Sequence, residues 1–492
     1  MTGQIRNEIK TPKILDLPIG TGATGTRSES DSMGTIDVPA EHYWGAQTQR
    51  SLLHFSIGYD RMPIEVNRAY GYVKKAAALV NASYGLLPEW KAEVICKVAD
   101  EIIAGKLDKE FPLYVWQTGS GTQSNMNVNE VISNRAIQLL GGKLGSKQPI
   151  HPNDDVNMSQ SSNDTFPSAM HIATVIEFSN RLIPTVESLI KAIWNKAVEW
   201  VEVVKIGRTH LQDATPLTVG QEWSGYATQL QHALDLVKHS RNGLYELAVG
   251  GTAVGTGLNA PAGFGDRMAA EIARLTGQPF ETAPNKYAAQ GGAGPTVNAS
   301  AALRTLAVSL MKIANDIRWL GSGPRAGLHE LNLPPNEPGS SIMPGKVNPT
   351  QEESMMMVCI QVIGEDNAIA LAGALGNFEL NTMRPIMINN VLHSARILGD
   401  ACEKLRKYSI EGITLNREKI SRFVKESLML VTALSPVIGY DKASAIAHKA
   451  HEENISLREA AIASGCITAE EFDKIVVPAK MVGNPRKDLD LE

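Results

Sequence analysis

The residues best suited to chemistry lie in one segment, residues 338–349, which reads PGSSIMPGKVNP. Its two glycines and three prolines predict an irregular loop. The loop carries two hydroxyls, from Ser340 and Ser341, one cation, Lys346, and one amide, Asn348. Such donors on a glycine-flanked segment suit an anionic ligand, and Ser340 could also reach a reacting atom of that ligand.

A helix start follows this loop directly. Asn348 is predicted as the N-cap, Pro349 as the first helical residue, and Gln351 as the partner that closes a capping box. The free N–H groups and partial positive charge of a helix N-terminus next to Lys346 would form an anion site. The alternative is a surface loop with a well-capped helix and a solvated lysine. We favour a site, because glycine flexibility and convergent donors rarely coincide in a plain connector.

A second polar stretch, residues 117–130, reads QTGSGTQSNMNVNE. Ser120, Gly121 and Thr122 would present hydroxyls and backbone donors immediately before a predicted helix. That helix carries Asn125 and Asn129 four residues apart, and therefore on one face. An N-cap followed by a polar helix surface is the alternative interpretation.

Two further segments combine polar residues with helix or turn signals. Ser161, Ser162 and Asn163 precede Asp164 at the start of another predicted helix, where they could contact a ligand, cap the helix, or do both. The segment from His151 to Asp154, which includes Asn153, follows a region rich in glycine and lysine. A histidine followed by acidic residues resembles a metal site in isolation, but Pro152 makes turn and capping chemistry as plausible.

His210 is one of eleven histidines. A lone histidine is usually a structural residue. This one is predicted to lie in a polar loop, residues 207–216, between two long helices and beside Thr209, and that setting favours a functional role.

The elements that must position these residues are long helices. Apolar residues recur at spacings of three and four over residues 217–247 and again over 303–320, and a third run begins at Pro349. Runs of this length exceed what one small domain would bury and predict a mainly α fold built on a bundle of extended helices. We expect helices of this reach to pack against those of other subunits.

The composition excludes several classes of protein. The chain has 492 residues, 43% of them hydrophobic, and a net charge of −5, so no basic face for nucleic acid or membrane is indicated. No run approaches the roughly 18 apolar residues of a membrane span. Four scattered cysteines argue against disulfides, zinc and iron–sulfur clusters and favour a cytoplasmic protein. Residues 20–25 match G-x-G-x-x-G, but no amphipathic helix follows, so nucleotide binding is disfavoured.

Residues 339–351, GSSIMPGKVNPTQ, are similar to the signature of the fumarase/aspartase superfamily and most resemble that of class II fumarases. The resemblance covers the chain from about residue 31 onward. Residues 376–381, GNFELN, resemble fumarases more than aspartases. The resemblance implies a three-domain fumarase/aspartase-like fold that forms a homotetramer through its central helix bundle. Its predicted parts are a flexible N-terminal arm (1–30), a mostly helical domain (31–159), the long-helix bundle (160–417) and a small helical domain (418–492).

The resemblance also implies an activity: reversible hydration of fumarate to (S)-malate, in the tricarboxylic acid cycle, through an aci-carboxylate intermediate and without a metal or organic cofactor. The active sites would combine residues from three subunits. By this resemblance Ser340 removes the C3 proton of malate, and His210 exchanges the proton of the hydroxyl or water. Glu353 supports His210 from a neighbouring subunit, although the adjacent Glu352 leaves that choice open. Lys346 and Asn348 stabilise the intermediate.

The resemblance assigns the remaining polar residues to binding. Those expected to bind substrate are Ser120, Gly121, Thr122, Ser161, Ser162, Asn163, Thr209, Ser341, Lys346 and Asn348. His151, Asn153 and Asp154 would form a second, peripheral anion site. Two alternatives remain open: an aspartate ammonia-lyase, with the same fold and ammonia as the leaving group, or a catalytically silent structural protein on the same scaffold.

Overall fold

A computed structural model of the chain describes residues 12–491. The chain divides into two compact units, each assembled from three segments. Unit 1 comprises Met1–Leu182, Leu236–Arg304 and Gln361–Arg396, and unit 2 comprises Ile183–Asp235, Thr305–Ile360 and Ile397–Glu492.

Helices dominate the described part of the chain, so the prediction of a mainly α fold is confirmed. They are α1 (Ala46–His54), α2 (Ile64–Ser83), α3 (Glu89–Ile103), α4 (Thr122–Leu139), α5 (Ser162–Glu177), α6 (Ile183–Glu199), α7 (Val219–Leu244), α8 (Phe264–Thr276), α9 (Lys286–Gly291), α10 (Gly294–Leu320), α11 (Thr350–Ala374), α12 (Arg384–Tyr408), α13 (Arg417–Glu426), α14 (Ser435–Ile438), α15 (Tyr440–Glu452), α16 (Leu457–Ala463), α17 (Ala469–Ile475) and α18 (Pro485–Asp488).

The strands between Pro12 and Leu491 form short two-stranded pairs. β1 (Thr26–Asp31) pairs with β2 (Gly34–Pro39), β3 (Val204–Thr209) with β4 (Gln212–Thr218), β5 (Glu246–Leu247) with β6 (Glu281–Thr282), and β7 (Leu331–Asn332) with β8 (Thr414–Leu415). The β5–β6 pair is parallel and the other three are antiparallel.

The beginning of unit 1 differs from the predicted flexible arm. Residues 26–30 belong to β1, which is paired with β2 along its whole length. The buried guanidinium of Arg135 donates hydrogen bonds to the carbonyls of Leu17 and Pro18, at 2.8 and 3.0 Å. These partners lie more than a hundred residues away in the chain, so local composition could not reveal them. Residues 1–11, the rest of the predicted arm, lie outside the described residues.

The core of unit 1 is built on α2, which packs against α3, α5 and α8. Almost every side chain of α4 and α5 is buried, including many polar ones. Both helices begin at polar segments singled out in the sequence, so their burial holds those segments on a rigid base.

Unit 2 contains the hairpin β3–β4 and the start of α7. Trp200 and Trp223 pack edge to face, with ring centroids 4.8 Å apart. The buried Lys205 Nζ lies 2.7 Å from Glu222 Oε1 and 2.8 Å from Glu330 Oε2. This ion-pair network joins the base of the hairpin to α7 and to the segment that precedes β7.

The end of unit 2 has an apolar cluster of its own, formed by residues between Leu430 and Phe472. Two of its helices, α16 and α17, begin with complete capping boxes from Ser456 and Thr468. The predicted domain boundaries at residues 30, 159 and 417 stay a prediction.

The long helices predicted from apolar spacing are present as α7, α10 and α11, with 26, 27 and 25 residues. The boundaries between the two units fall inside these helices and inside α12. Within residues 12–491, α11 is the one helix long and apolar enough to cross a membrane by length and composition. A helix in the core of a soluble protein can be equally long and apolar, so this finding is weak evidence for a membrane-spanning helix.

Candidate active site

Three predicted substrate-binding hydroxyls meet in unit 1, where α4 and α5 begin. Ser120 Oγ lies 2.9 Å from Thr122 Oγ1, which lies 2.7 Å from Ser162 Oγ. All three side chains are partly buried. Because a hydroxyl can donate as well as accept, this cluster can turn its protons towards a carboxylate.

Glycines hold the Ser120 turn in place. Gly121 has a φ of +77°, and a Cβ added there would lie 2.2 Å from the ring of Phe166. A Cβ on Gly119 would lie 1.4 Å from the carbonyl oxygen of Thr382. The turn is therefore packed too closely for any side chain at either position, which fixes Ser120 between them.

The start of α5 is capped as the sequence suggested. Ser161 Oγ accepts a hydrogen bond from the backbone of Asn163, and Asp164 accepts one from the backbone of Ser161. The second oxygen of Asp164 accepts from the backbone N–H groups of Gly250 and Thr252, both at 2.9 Å. Complete burial raises the pKa of Asp164 to about 6. Capping thus occupies Ser161, while Ser162 belongs to the hydroxyl cluster.

A buried cation lies behind the same segment. Arg384 is 2% exposed, and its guanidinium donates to the carbonyl of Asn163 at 3.0 Å and to that of Gln290. The Asn163 side chain donates to the carbonyl of Ala253. Burial lowers the pKa of Arg384 to about 10, which leaves it charged at neutral pH. Sequence reasoning assigned Arg384 no role, because its partners are distant in the chain.

A second buried cation, Lys74, was also missed. Its ammonium donates to three amide oxygens: Asn125 Oδ1 at 2.7 Å, Gln160 Oε1 at 2.9 Å and Asn157 Oδ1 at 3.1 Å. Burial lowers the pKa of Lys74 to about 7. One sequence signal could have revealed Lys74. It is a lysine on a face of α2 that also carries Val73 and Ala77, which are four residues apart. The predicted pair Asn125 and Asn129 shares one partner, since both amides donate to Asn157 Oδ1.

The predicted second anion site is a single turn in unit 1. His151 Nδ1 accepts hydrogen bonds from the backbones of Asn153 and Asp154, both at 3.1 Å, and so caps a turn at Pro152–Val156. The Asp154 carboxylate is exposed and lies 3.5 Å from His151 Nδ1. Among the described residues no hydrogen bond joins these three side chains to the hydroxyl cluster.

The loop predicted as the centre of the site belongs to unit 2 and closes on itself. Gly339 N donates to the carbonyl of Lys346 at 3.1 Å, and Asn348 Nδ2 donates to the carbonyl of Gly339 at 2.5 Å. A Cβ on Gly339 would lie 2.2 Å from the Lys346 oxygen, so the closure requires glycine. Ser340 Oγ accepts from the backbones of Ile342 and Met343, at 3.3 and 3.0 Å.

The predicted capping role of Asn348 is wrong. Helix α11 begins at Thr350, and the carbonyl of Pro349 accepts the first helical hydrogen bond, from Glu353 N at 3.0 Å. The side chain of Asn348 is instead used to close the loop on Gly339. A cap and a loop closure compete for the same amide, and the sequence pattern does not distinguish them.

Three side chains in this loop are open to a ligand. Ser341 and Lys346 are exposed, and Ser340 is partly exposed. Among the described residues the Lys346 ammonium has no hydrogen-bond or ion-pair partner. The loop therefore offers an uncompensated cation and, at Ser340, a hydroxyl oxygen that faces two backbone donors.

His210 lies at the tip of a hairpin, where a polar loop between two long helices was predicted. Thr209 and Gln212 are the last paired residues of β3 and β4, and the turn between them consists of His210 and Leu211. Both turn residues have positive φ, 56° and 61°. Two-residue turns of this type favour asparagine and glycine, so His-Leu carried no hairpin signal. His210 and Thr209 are exposed, and within unit 2 no hydrogen bond joins His210 to Ser340 or Lys346.

At the start of α11, the two adjacent glutamates differ in exposure. Glu352 is 2% exposed, and its carboxylate accepts a hydrogen bond from Ser409 Oγ. Burial raises the pKa of Glu352. Glu353 is exposed. Of the two, only Glu353 is accessible to another residue or to a ligand.

Comparison with known proteins agrees with these motifs. Residues 34–364 match a family described as lyase, and residues 430–483 match one described as the fumarase C C-terminus. The chain is 76% identical over 480 residues to a class II fumarate hydratase of Methanosarcina acetivorans, covering 98% of this chain and 99% of that protein. The chain belongs to the class II fumarate hydratase family.

Other members of this family are similar over nearly the whole chain. A class II fumarate hydratase of Thermosynechococcus vestitus is 59% identical and covers 94% of this chain and 98% of its own. The crystal structure of class II fumarase from Schistosoma mansoni matches with a TM-score of 0.92 at 43% identity, covering 93% of this chain and 99% of that one. The predicted fold class is confirmed. None of these relatives is an aspartate ammonia-lyase, so they do not support that alternative.

Proposed function

We propose that this protein catalyses the reversible hydration of fumarate to (S)-malate and serves the tricarboxylic acid cycle. The observation that carries the proposal is the near full-length similarity to class II fumarate hydratases, together with an intact set of Ser340, Lys346, Asn348 and His210. A catalytically silent scaffold protein would have no need to keep that set.

The chemical difficulty is the weak acidity of the C3 proton of malate. Its removal places charge on the neighbouring carboxylate, which becomes an aci-carboxylate. Donors aimed at that group are worth about 3–4 kcal/mol each in a water-excluded site. We assign this role to Lys346 and Asn348. The support is that the Lys346 ammonium has no partner among residues 12–491, so its charge remains available to a ligand.

We assign removal of the C3 proton to Ser340. A serine is a poor base unless its alkoxide is stabilised by donors and by positive charge. The backbone N–H groups of Ile342 and Met343 already point at Ser340 Oγ, and Lys346 belongs to the same closed loop. These contacts would stabilise the deprotonated form of Ser340.

His210 would protonate the departing hydroxyl of malate or activate the incoming water. Its exposure at a hairpin tip suits a residue that completes a site with partners from elsewhere. Glu353 would orient His210 from a neighbouring subunit. The support for Glu353 over Glu352 is burial, because Glu352 is enclosed and bonded to Ser409 within its own unit.

The carboxylates of the substrate would be bound by hydroxyls, amides and backbone donors. In unit 1 these are Ser120, Gly121, Thr122, Ser161, Ser162 and Asn163, and in unit 2 they are Thr209, Ser341, Lys346 and Asn348. The contacts among Ser120, Thr122 and Ser162 support a shared carboxylate site. His151, Asn153 and Asp154 remain proposed as a second anion site.

We propose a homotetramer in which each active site combines residues from three subunits. The support is that α11 is apolar but poorly buried: only 39% of its most apolar segment of 18 residues is buried within the chain. Met357, Ile360 and Leu371 of that helix are 65%, 62% and 71% exposed. Exposed apolar side chains in such numbers on one helix are typical of a subunit interface.

The proposed reaction requires no metal and no organic cofactor, and we propose that it takes place in the cytoplasm. Among the described residues, no group of three or more His, Cys, Asp or Glu is arranged to hold a metal ion. The four cysteines are free thiols, which suits a reducing compartment.

A spectrophotometric assay tests this function. The purified protein is given malate, fumarate, and fumarate with ammonium, and the absorbance of fumarate is followed. We expect malate to produce fumarate, and fumarate to be consumed with water alone. A requirement for ammonium would instead indicate an aspartate ammonia-lyase, and no change with any substrate would indicate a silent scaffold.

A further inference from the structure

Lys74 is a buried charge without a counter-ion in contact. Its side chain is 0% exposed on α2, and among the described residues no carboxylate lies within ion-pair distance of its ammonium. Its hydrogen bonds all go to neutral amide oxygens. Burying an ammonium is costly, and an apolar side chain of similar volume would often be more stabilising. Stability of the core therefore does not account for a lysine at this position.

The ammonium determines how the surrounding amides are turned. It has three donors and no acceptor, so Asn125, Asn157 and Gln160 must each direct an oxygen at it. Their NH2 groups then face other partners. Asn157 Nδ2 donates to the carbonyl of Gln160 at 3.2 Å. Gln160 Nε2 donates to the carbonyls of Val156 and Met158, at 3.1 and 3.0 Å.

These bonds hold the backbone of residues 156–160, which leads directly into the start of α5. A further link runs through Thr165, whose hydroxyl contacts Asn125 Oδ1 at 3.3 Å and the carbonyl of Ser161 at 2.9 Å. The amides bonded to Lys74 thus contact the chain on both sides of Ser162. Ser162 is the member of the hydroxyl cluster that belongs to α5, and its Oγ lies 2.7 Å from Thr122 Oγ1.

We propose that Lys74 is a positioning residue for substrate binding: by orienting Asn125, Asn157 and Gln160 it holds residues 156–160, and thereby places the Ser162 hydroxyl and the Asn163 backbone for a substrate carboxylate. This inference rests on the proposed function of the Ser161–Asn163 segment. Lys74 itself does not contact the substrate. The competing interpretation is a core ion whose removal affects only the stability of unit 1.

The variant Lys74→Met tests the proposal, because it keeps the buried volume and removes all three donors. Its matched control is Lys75→Met, the next residue on α2, whose ammonium lies 2.7 Å from Asp100 in an exposed ion pair. We expect Lys74→Met to raise KM for malate roughly tenfold while kcat falls less than about threefold, since misplaced binding groups weaken binding more than chemistry. Lys75→Met should leave both constants within about twofold of the original. A folded Lys74→Met protein with unchanged KM would overturn the proposal.

A second variant covers the case in which Lys74→Met does not fold. Asn157→Asp can still accept hydrogen bonds from Lys74, Asn125 and Asn129, but it can no longer donate to the carbonyl of Gln160. It should fold, and it should raise KM for malate with little change in kcat. An unchanged KM in this variant would also overturn the proposal.

Calorimetric titration of malate separates this inference from the proposed function. If the unaltered protein turns over malate, the proposed function stands, and the kinetics of the variants then test only the positioning role of Lys74. If it binds malate without turnover, weaker binding by Lys74→Met supports the positioning role, and equal binding overturns it. If the unaltered protein neither binds nor converts malate, both proposals fall.

Discussion

Three buried charged side chains of unit 1 are bonded to neutral groups rather than to each other. Lys74 donates to amides, Arg384 donates to backbone carbonyls, and Asp164 accepts from backbone N–H groups. In a chain with a net charge of −5, a dianionic substrate is not attracted by the overall field. The buried Arg384 beside the hydroxyl cluster would supply positive potential locally, where low dielectric makes it stronger, and Lys74 would add to that potential when protonated.

The roles proposed for Ser340 and His210 predict that replacing either residue lowers kcat, for a different reason in each case. Ser340→Ala removes the proposed base, and His210→Asn removes the proposed proton exchange while keeping a residue that tolerates positive φ at the hairpin tip. We expect each to lower kcat by about 10²–10⁴-fold without loss of assembly. Steady-state kinetics and light scattering measure both effects. Ser146→Ala, an exposed serine in a turn, is the control, and near-normal turnover of Ser340→Ala would remove it as the base.

His393 predicts a pH-dependent contribution to stability. Its Nδ1 lies 2.5 Å from Glu365 Oε1, and this hydrogen bond raises the pKa of His393, with burial and Arg396 opposing and Asp60 assisting. A raised pKa means that the stabilisation is present below the ordinary value of about 6.5 and is lost as the pH rises through the folded value.

The variant His393→Gln should therefore lower the thermal midpoint more at pH 6 than at pH 8.5. Thermal unfolding of both proteins at the two pH values measures this difference. An equal loss at both pH values would show that His393 contributes through packing and neutral hydrogen bonding rather than through its charge.

At the scale of the element, the first turn of α11 assigns different tasks to adjacent residues. Successive residues of a helix point about 100° apart, so Glu352 is directed into unit 2 while Glu353 faces outwards. The loop before the helix is closed by Asn348, which leaves the first turn without the side-chain cap expected from the sequence.

This difference predicts opposite results for two conservative changes. Glu353→Gln should lower kcat at least about tenfold, because a neutral amide cannot stabilise a charged His210. Glu352→Gln should keep kcat within about twofold, since Ser409 can still donate to the amide oxygen and no site contact is lost. Steady-state assays of the two variants compare them directly. Loss of activity in Glu352→Gln alone would reverse the assignment.

The hairpin β3–β4 shows how an element can place a single side chain. A bulge between Ile206 and Arg208 shifts the register, and the two-residue turn then carries His210 at the tip. Positive φ at a residue other than glycine costs about 1–3 kcal/mol and tends to occur at functional sites. The buried Lys205–Glu330 ion pair at the base of the hairpin provides the rigid support that such a conformation requires.

At the scale of the whole molecule, the exposed apolar surface of α11 predicts assembly. Ile360→Asp would place a charge on a helix that is expected to lie against other subunits. We expect this variant to dissociate the proposed tetramer and to lose most activity, because the proposed sites need more than one chain. Light scattering after size-exclusion chromatography, together with the malate assay, measures both properties.

The matched control for assembly is Val437→Asp on α14, since Val437 is 60% exposed and Ile360 is 62% exposed. The control should keep the mass and the activity of the unaltered protein. An Ile360→Asp protein that keeps its mass and turnover would contradict an interface on this part of α11.

The sequence by itself determined the family, the mainly α class and three of the four longest helices. Each of these depends on residues that are contiguous or recur every three or four positions, so the pattern is local and readable. Residues 339–351 are one such contiguous motif. The apolar spacing of residues 303–320 likewise corresponds to the last two thirds of α10.

Only the tertiary structure decided which polar side chains are occupied and which are free. Lys74 bonds to Asn157, Arg384 to Asn163, and Arg135 to Leu17, and these partners lie 83, 221 and 118 residues apart. The same holds for the burial of Glu352 and the hairpin that carries His210. Such contacts arise when the helices pack, because packing brings together groups whose separation in the chain leaves no local pattern to detect.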